Sequence, residues 1–122
     1  MPQSPLPRLR KLCLSLPEAH EVEAWGHPTF RVRSKIFATY APAGDPHCDG
    51  RAATCFKAAP GEQAELVGKA PDRFFVPPYV GSKGWVAAWL DHPVDWDQLA
   101  GLLLHSYRLI APKKLLALLD EE

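Results

Sequence analysis

At 122 residues, 47% of them hydrophobic, the chain suits one domain spanning 1–122 with a single core. Its fourteen basic and fourteen acidic residues cancel to a pI near 7.0, which argues against a tight nucleic-acid binder, whose domain pI usually exceeds about 9. No apolar run reaches membrane-spanning length, Met1-Pro2-Gln3-Ser4-Pro5 lacks the basic-then-apolar pattern of a signal peptide, and Cys13, Cys48 and Cys55, an odd set without CxxC, read as reduced thiols of a cytosolic protein.

Ser4-Pro5 reads as an N-cap followed by proline at N1, and Leu9, Leu12, Cys13 and Leu16 then recur at helical spacing until Pro17 closes the helix. On that stripe Cys13 is a small core residue rather than a nucleophile. Glu18 to His27 is polar and ends in the turn Trp25-Gly26-His27-Pro28. Thr29–Val32 and Lys35–Tyr40 flank Arg33-Ser34, the spacing of a tight hairpin. Ala41 to Gly50 is a loop. Arg51 to Lys57 alternates as a third strand, with Ala53 and Cys55 on one face and Thr54 and Phe56 on the other. Pro60 to Val67 reads as a short helix with Gly68 at C′. Arg73-Phe74-Phe75-Val76 is partly extended, and Gly84 to Leu90 is the next strand.

Asp95 and Gln98 then stand in a capping-box arrangement, with Val94 and Leu99 at the staple positions. Trp96, Leu99, Leu103, Tyr107 and Ile110 form the buried stripe of the helix they open. Ala111-Pro112 breaks it before a last amphipathic turn or two over 113–119. The predicted architecture is α+β, a two-layer antiparallel sheet with helices on one face, in the order α-β3-α-β2-α.

Chemistry-bearing motifs are few. Gly81-Ser82-Lys83-Gly84 has the GxxG form that some RNA-binding domains use to clamp a backbone, but here a strand follows it, so it also reads as a glycine turn. It is not a P-loop, and no GxSxG or HExxH is present. Asp45, His47, Cys48, Asp49 and Cys55 lack a recognised ligand spacing, as do His20 and His27, so no metal or cofactor is expected. No nucleophile, base and orienting group assemble, so no enzyme is expected. Trp25 and Trp85 fit either a stacking platform or the core, while Trp89 and Trp96 fit the core.

Charge is uneven along the chain. Arg31 to Lys83 holds eight basic and five acidic residues. Arg31, Arg33 and Lys35 crowd around one hairpin turn, a form suited to a phosphate backbone or to an edge hairpin kept soluble by charge.

The order Cys13-Leu14-Ser15-Leu16-Pro17-Glu18-Ala19, Trp25-Gly26-His27-Pro28-Thr29-Phe30-Arg31-Val32, Lys35-Ile36-Phe37-Ala38, Tyr79-Val80-Gly81-Ser82-Lys83-Gly84-Trp85-Val86, Leu90-Asp91 and Leu104-His105-Ser106-Tyr107-Arg108-Leu109-Ile110-Ala111 resembles the MmcQ/YjbR family of small bacterial proteins, over about Leu9 to Leu119. The resemblance implies a fold similar to type III secretion chaperones and the family's usual description, a double-wing DNA-binding protein. The wings would then be the Phe30–Tyr40 hairpin and the Tyr79–Trp89 segment.

The expectation is a cytoplasmic, non-enzymatic protein that binds double-stranded DNA weakly and without sequence preference, through Arg31, Arg33, Lys35, Arg51, Lys83 and Trp85. The alternatives are a protein- or peptide-binding module, favoured by scattered charges and an exposed aromatic patch, and a small-molecule-binding domain, which needs a concave site. The oligomeric state is not legible in the sequence.

Overall fold

The computed structural model describes residues 5–24, 26–42, 51–77, 83–91 and 94–120. Among them, four helices and six strands follow the order α1 (Leu6–Leu14), β1 (His20–Ala24), β2 (His27–Val32), β3 (Lys35–Ala41), β4 (Ala53–Phe56), α2 (Glu62–Lys69), β5 (Phe74–Phe75), β6 (Val86–Trp89), α3 (Trp96–Ile110) and α4 (Lys113–Asp120). The strands form one antiparallel sheet in the order β1-β2-β3-β4-β6-β5. The α+β class is as predicted, with one strand and one helix more than the predicted order.

The added strand is β1. Its partners across the ladder explain why its alternation reads as polar: Glu21 opposes Phe30 and Glu23 opposes Pro28, so carboxylates stand on the helix-facing side. Glu21 is tolerated there because Arg10 of α1 donates to it from Nε at 2.6 Å and from Nη2 at 3.1 Å. The added helix is α4, which stays regular after Pro112 and sends Leu115 into the core.

One face of the sheet carries the main core. Phe30, Val32, Ala38, Tyr40, Phe56, Val86, Ala88 and Phe74 join Leu9 and Cys13 of α1, Leu99, Leu103 and Tyr107 of α3, and Leu115 of α4, with Leu66 and Val67 of α2 packed against them. All four helices therefore cover the same face. A bulge in β3, where the pairing moves from Phe30–Ala38 to Arg31–Ile36, gives Phe37 an inward position. There its ring meets Tyr107 edge-on, with centroids 5.6 Å apart. The Tyr107 hydroxyl donates to the Pro17 carbonyl at 2.6 Å, which fixes the turn between α1 and β1 onto α3.

The helix α3 begins as its sequence dictates: the Gln98 N–H donates to Asp95 Oδ1 at 3.0 Å. The Gln98 side chain does not complete a capping box and instead accepts from Arg73 Nη1 at 2.9 Å. The helix α2 differs from the predicted span. Gly61, at φ 86°, is its N-cap, and the helix runs through Gly68 to Lys69. Gly68 is thus a helical residue, because Ala70 rather than a left-handed glycine closes the last turn with its N–H on the Leu66 carbonyl.

Candidate nucleic-acid interface

The hairpin between β2 and β3 turns through Arg33 and Ser34, both with positive φ (51° and 70°). Two successive left-handed residues make the tight turn whose twist matches the flanking strands. Arg31, Arg33 and Lys35 all sit at this end of the sheet but differ in what they touch. The Arg31 side chain lies back along the helix-free face, where its Nε donates to Thr29 Oγ1 at 3.0 Å. The Thr29 hydroxyl in turn donates to the Val22 carbonyl at 2.6 Å, tying β1 to β2. Arg33 is engaged by Glu18, with Nε at 2.8 Å and Nη2 at 3.2 Å from the two carboxylate oxygens. That carboxylate pushes the Arg33 guanidinium pKa further up, so it stays charged. Lys35 is exposed, and no hydrogen bond or ion pair engages its ammonium group among the described residues.

Two further lysines come to the same end of the sheet. The Lys57 N–H donates to the Phe37 carbonyl at 3.4 Å, which places Lys57 beside the β3 bulge just past the end of β4. Lys83 precedes Gly84, whose φ is 89° and where an added Cβ would lie in ordinary contact, 3.9 Å, with the Ala58 carbonyl oxygen. The segment entering β6 therefore runs beside Lys57-Ala58. Gln63 of α2 steadies it by donating from Nε2 to the Trp85 carbonyl at 2.7 Å. Trp85 is half-buried there. Lys35, Lys57 and Lys83 thus mark three adjacent strand ends across two inter-strand steps, about 10 Å. None of the three pairs with a carboxylate among the described residues.

Arg51 is elsewhere. β3 runs from Lys35 at the hairpin to Ala41, Ala41 pairs with Ala53, and Ala53 pairs with Trp89. Arg51 therefore stands at the opposite end of the sheet, roughly 20 Å away by strand rise. Its guanidinium is bidentate on Asp91, at 2.6 and 2.9 Å, and lies over the Trp89 ring at 3.9 Å. The other side of Trp89 stacks on Phe75, with centroids 3.9 Å apart and planes 19° from parallel. This Arg51–Trp89–Phe75 sandwich belongs to a second small cluster with Ala41 and Ala53 on the helix-free face. It leaves Trp89 only 7% exposed.

The YjbR family model matches residues 14–109. This chain belongs to the YjbR family. Among solved structures, this YjbR-family protein is similar to the crystal structure of Deinococcus radiodurans protein DR2400, a DUF419 domain. The two are 26% identical, with a TM-score of 0.73, over 89% of this chain and 82% of that one. No curated protein matches.

The structure thus gathers Arg31, Arg33, Lys35 and Lys83 of the YjbR-family chain at one sheet end and separates Arg51 from them. Lys57 joins the group although the sequence alone does not single it out: its place follows from β4 lying between β3 and β6, a pairing across α2. Ser82, Gly81 and Tyr79 of the GxxG and double-wing readings, and Trp25, lie outside the described residues, as do His47 and Cys48. Cys13 is fully buried, and burial pushes its thiol up to about 12, which suits a core residue. A hollow lined by Phe74, Trp89, Val94, Leu99 and Leu102 has room for roughly one water molecule. No helix among the described residues is long and apolar enough to cross a membrane.

Proposed function

We propose that this YjbR-family protein is a non-enzymatic, cytoplasmic bacterial protein that binds duplex DNA weakly, through its phosphate backbone and without sequence preference. The observation that carries the reading is the row of Lys35, Lys57 and Lys83 on three neighbouring strand ends, none neutralised by a carboxylate among the described residues, with Arg31 on the adjoining strand. Lysine ammonium groups on flexible stems suit contacts to phosphates more than to base edges. With fourteen charges of each sign on the whole chain, attraction to DNA arises from this local separation of charge. Weak affinity and steep salt dependence follow.

A peptide-binding reading needs an exposed sheet face or an apolar patch around Trp85; among the described residues Trp85 is half-buried and Trp89 enclosed. The test is fluorescence anisotropy of two labelled duplexes of unrelated sequence, at low and at physiological salt, with a Lys35/Lys57/Lys83→Gln variant beside the wild type. The expected result is equal binding of both duplexes, weakening with salt and largely lost in the variant. Absence of binding at low salt, or a marked preference for one duplex, would overturn the reading.

A further inference from the structure

Resting on the DNA-binding reading, we propose that Glu18 masks Arg33, holding the most exposed arginine of the hairpin off the phosphate backbone and so keeping affinity low. A guanidinium fork grips a carboxylate and a phosphate by the same bidentate geometry, and Glu18 already occupies the Nε–Nη2 edge of the Arg33 guanidinium, at 2.8 and 3.2 Å. The pair is half-exposed, with side-chain exposures of 54% and 52%, so it stands where an incoming phosphate would meet it.

The mask is also pre-arranged. Glu18 and Arg33 both adopt left-handed backbone, φ 57° and 51°, which non-glycine residues rarely do. Each turn thereby aims its side chain at the other. Glu18 directly follows Pro17, whose carbonyl is fixed by the buried Tyr107 hydroxyl. The Glu18 carbonyl lies 3.3 Å from His20 Nδ1. The Glu18 backbone is therefore held beside the hairpin by the core, which limits the freedom lost on pairing. Arg51 is different: its pairing with Asp91 is reinforced by Trp89, and it lies at the far end of the sheet. Arg33 is thus a cation that one nearby substitution would release at the lysine row.

The experiment measures the slope of log binding constant against log salt for a labelled duplex. The proteins are the wild type, Glu18→Gln, Glu18→Asp, the double variant Glu18→Gln/Arg33→Gln, and Asp97→Asn as a control. Asp97→Asn makes the same change in net charge in the first turn of α3, where no ion pair engages Asp97 among the described residues. Glu18→Asp keeps the charge but draws the carboxylate back from Arg33 by one methylene. One added phosphate contact steepens the slope by about 0.9. The expected result is that Glu18→Gln binds more tightly with a slope steeper by about that amount, and that Glu18→Asp moves the same way. The double variant should return to the wild-type slope and Asp97→Asn should stay there. If Glu18→Gln behaves like Asp97→Asn while the wild type binds, the mask is wrong and the DNA reading stands. If neither the wild type nor Glu18→Gln binds at low salt, both fall.

Discussion

Tyr107 joins three parts of the molecule through one side chain. It packs on Phe37 of the β3 bulge, caps the Pro17 carbonyl and belongs to α3. Tyr107→Phe keeps the ring contact but leaves that carbonyl without its donor, so the variant should lose about 1–2 kcal/mol of stability in denaturant titration. Cys13 makes a second prediction at this scale. Burial raises its thiol from 9.0 to about 12, and burial raises Tyr107 as well. A folded-state pKa above the unfolded one contributes stability that is complete below the unfolded value and is lost as pH climbs toward the folded value. The denaturation midpoint should therefore fall as pH rises from about 9 toward 12, and Cys13→Ala should flatten that fall. In the native protein Cys13 should also resist a thiol reagent until the chain unfolds.

Among the elements, the hairpin and α3 show how far local sequence decides local form. Arg33-Ser34 predicts a tight turn, and the turn is there, yet neither residue is the glycine or asparagine such a turn favours. Ser34→Gly should stabilise the protein by about 0.5 kcal/mol, read from thermal or denaturant unfolding, because left-handed strain outweighs the added freedom of the unfolded chain. Asp95→Ala should cost about 1 kcal/mol through loss of the cap on the Gln98 N–H. The stripe Leu9–Leu12–Cys13–Leu16, the Asp95 cap and the alternation of β4 were all legible, since each depends on neighbours in sequence. β1 was not, because its inward positions carry Glu21 and Glu23, and the arginine that makes Glu21 acceptable lies eleven residues away on α1. The end of α2 departs from the C′ position that Gly68 suggests, because glycine marks C′ only when the backbone turns left-handed, and here Gly61 does so at the other end.

In the whole molecule, sheet order decides which charges meet. The sequence places Arg31, Arg33, Lys35, Arg51 and Lys83 on one basic stretch. Three of its members earn different roles in the fold: Arg33 is held by Glu18, Arg51 is held by Asp91 at the far end, and Lys83 is brought back beside Lys57 by the crossover through α2. None of this is visible from spacing, since the pairing of β4 with β6 spans the whole of α2 and β5. The neutral total charge is then compatible with an electrostatic function, because bidentate pairs remove some cations from play and leave the lysine row.

The most direct measurement is the salt dependence of duplex binding, compared between the wild type and the Lys35/Lys57/Lys83→Gln variant. The proposed function expects a linear fall of log binding constant with log salt in the wild type. In the variant the slope should be shallower by about 2.7, roughly 0.9 for each lysine removed. Binding that is absent at low salt, or a slope that the three substitutions leave unchanged, would contradict it.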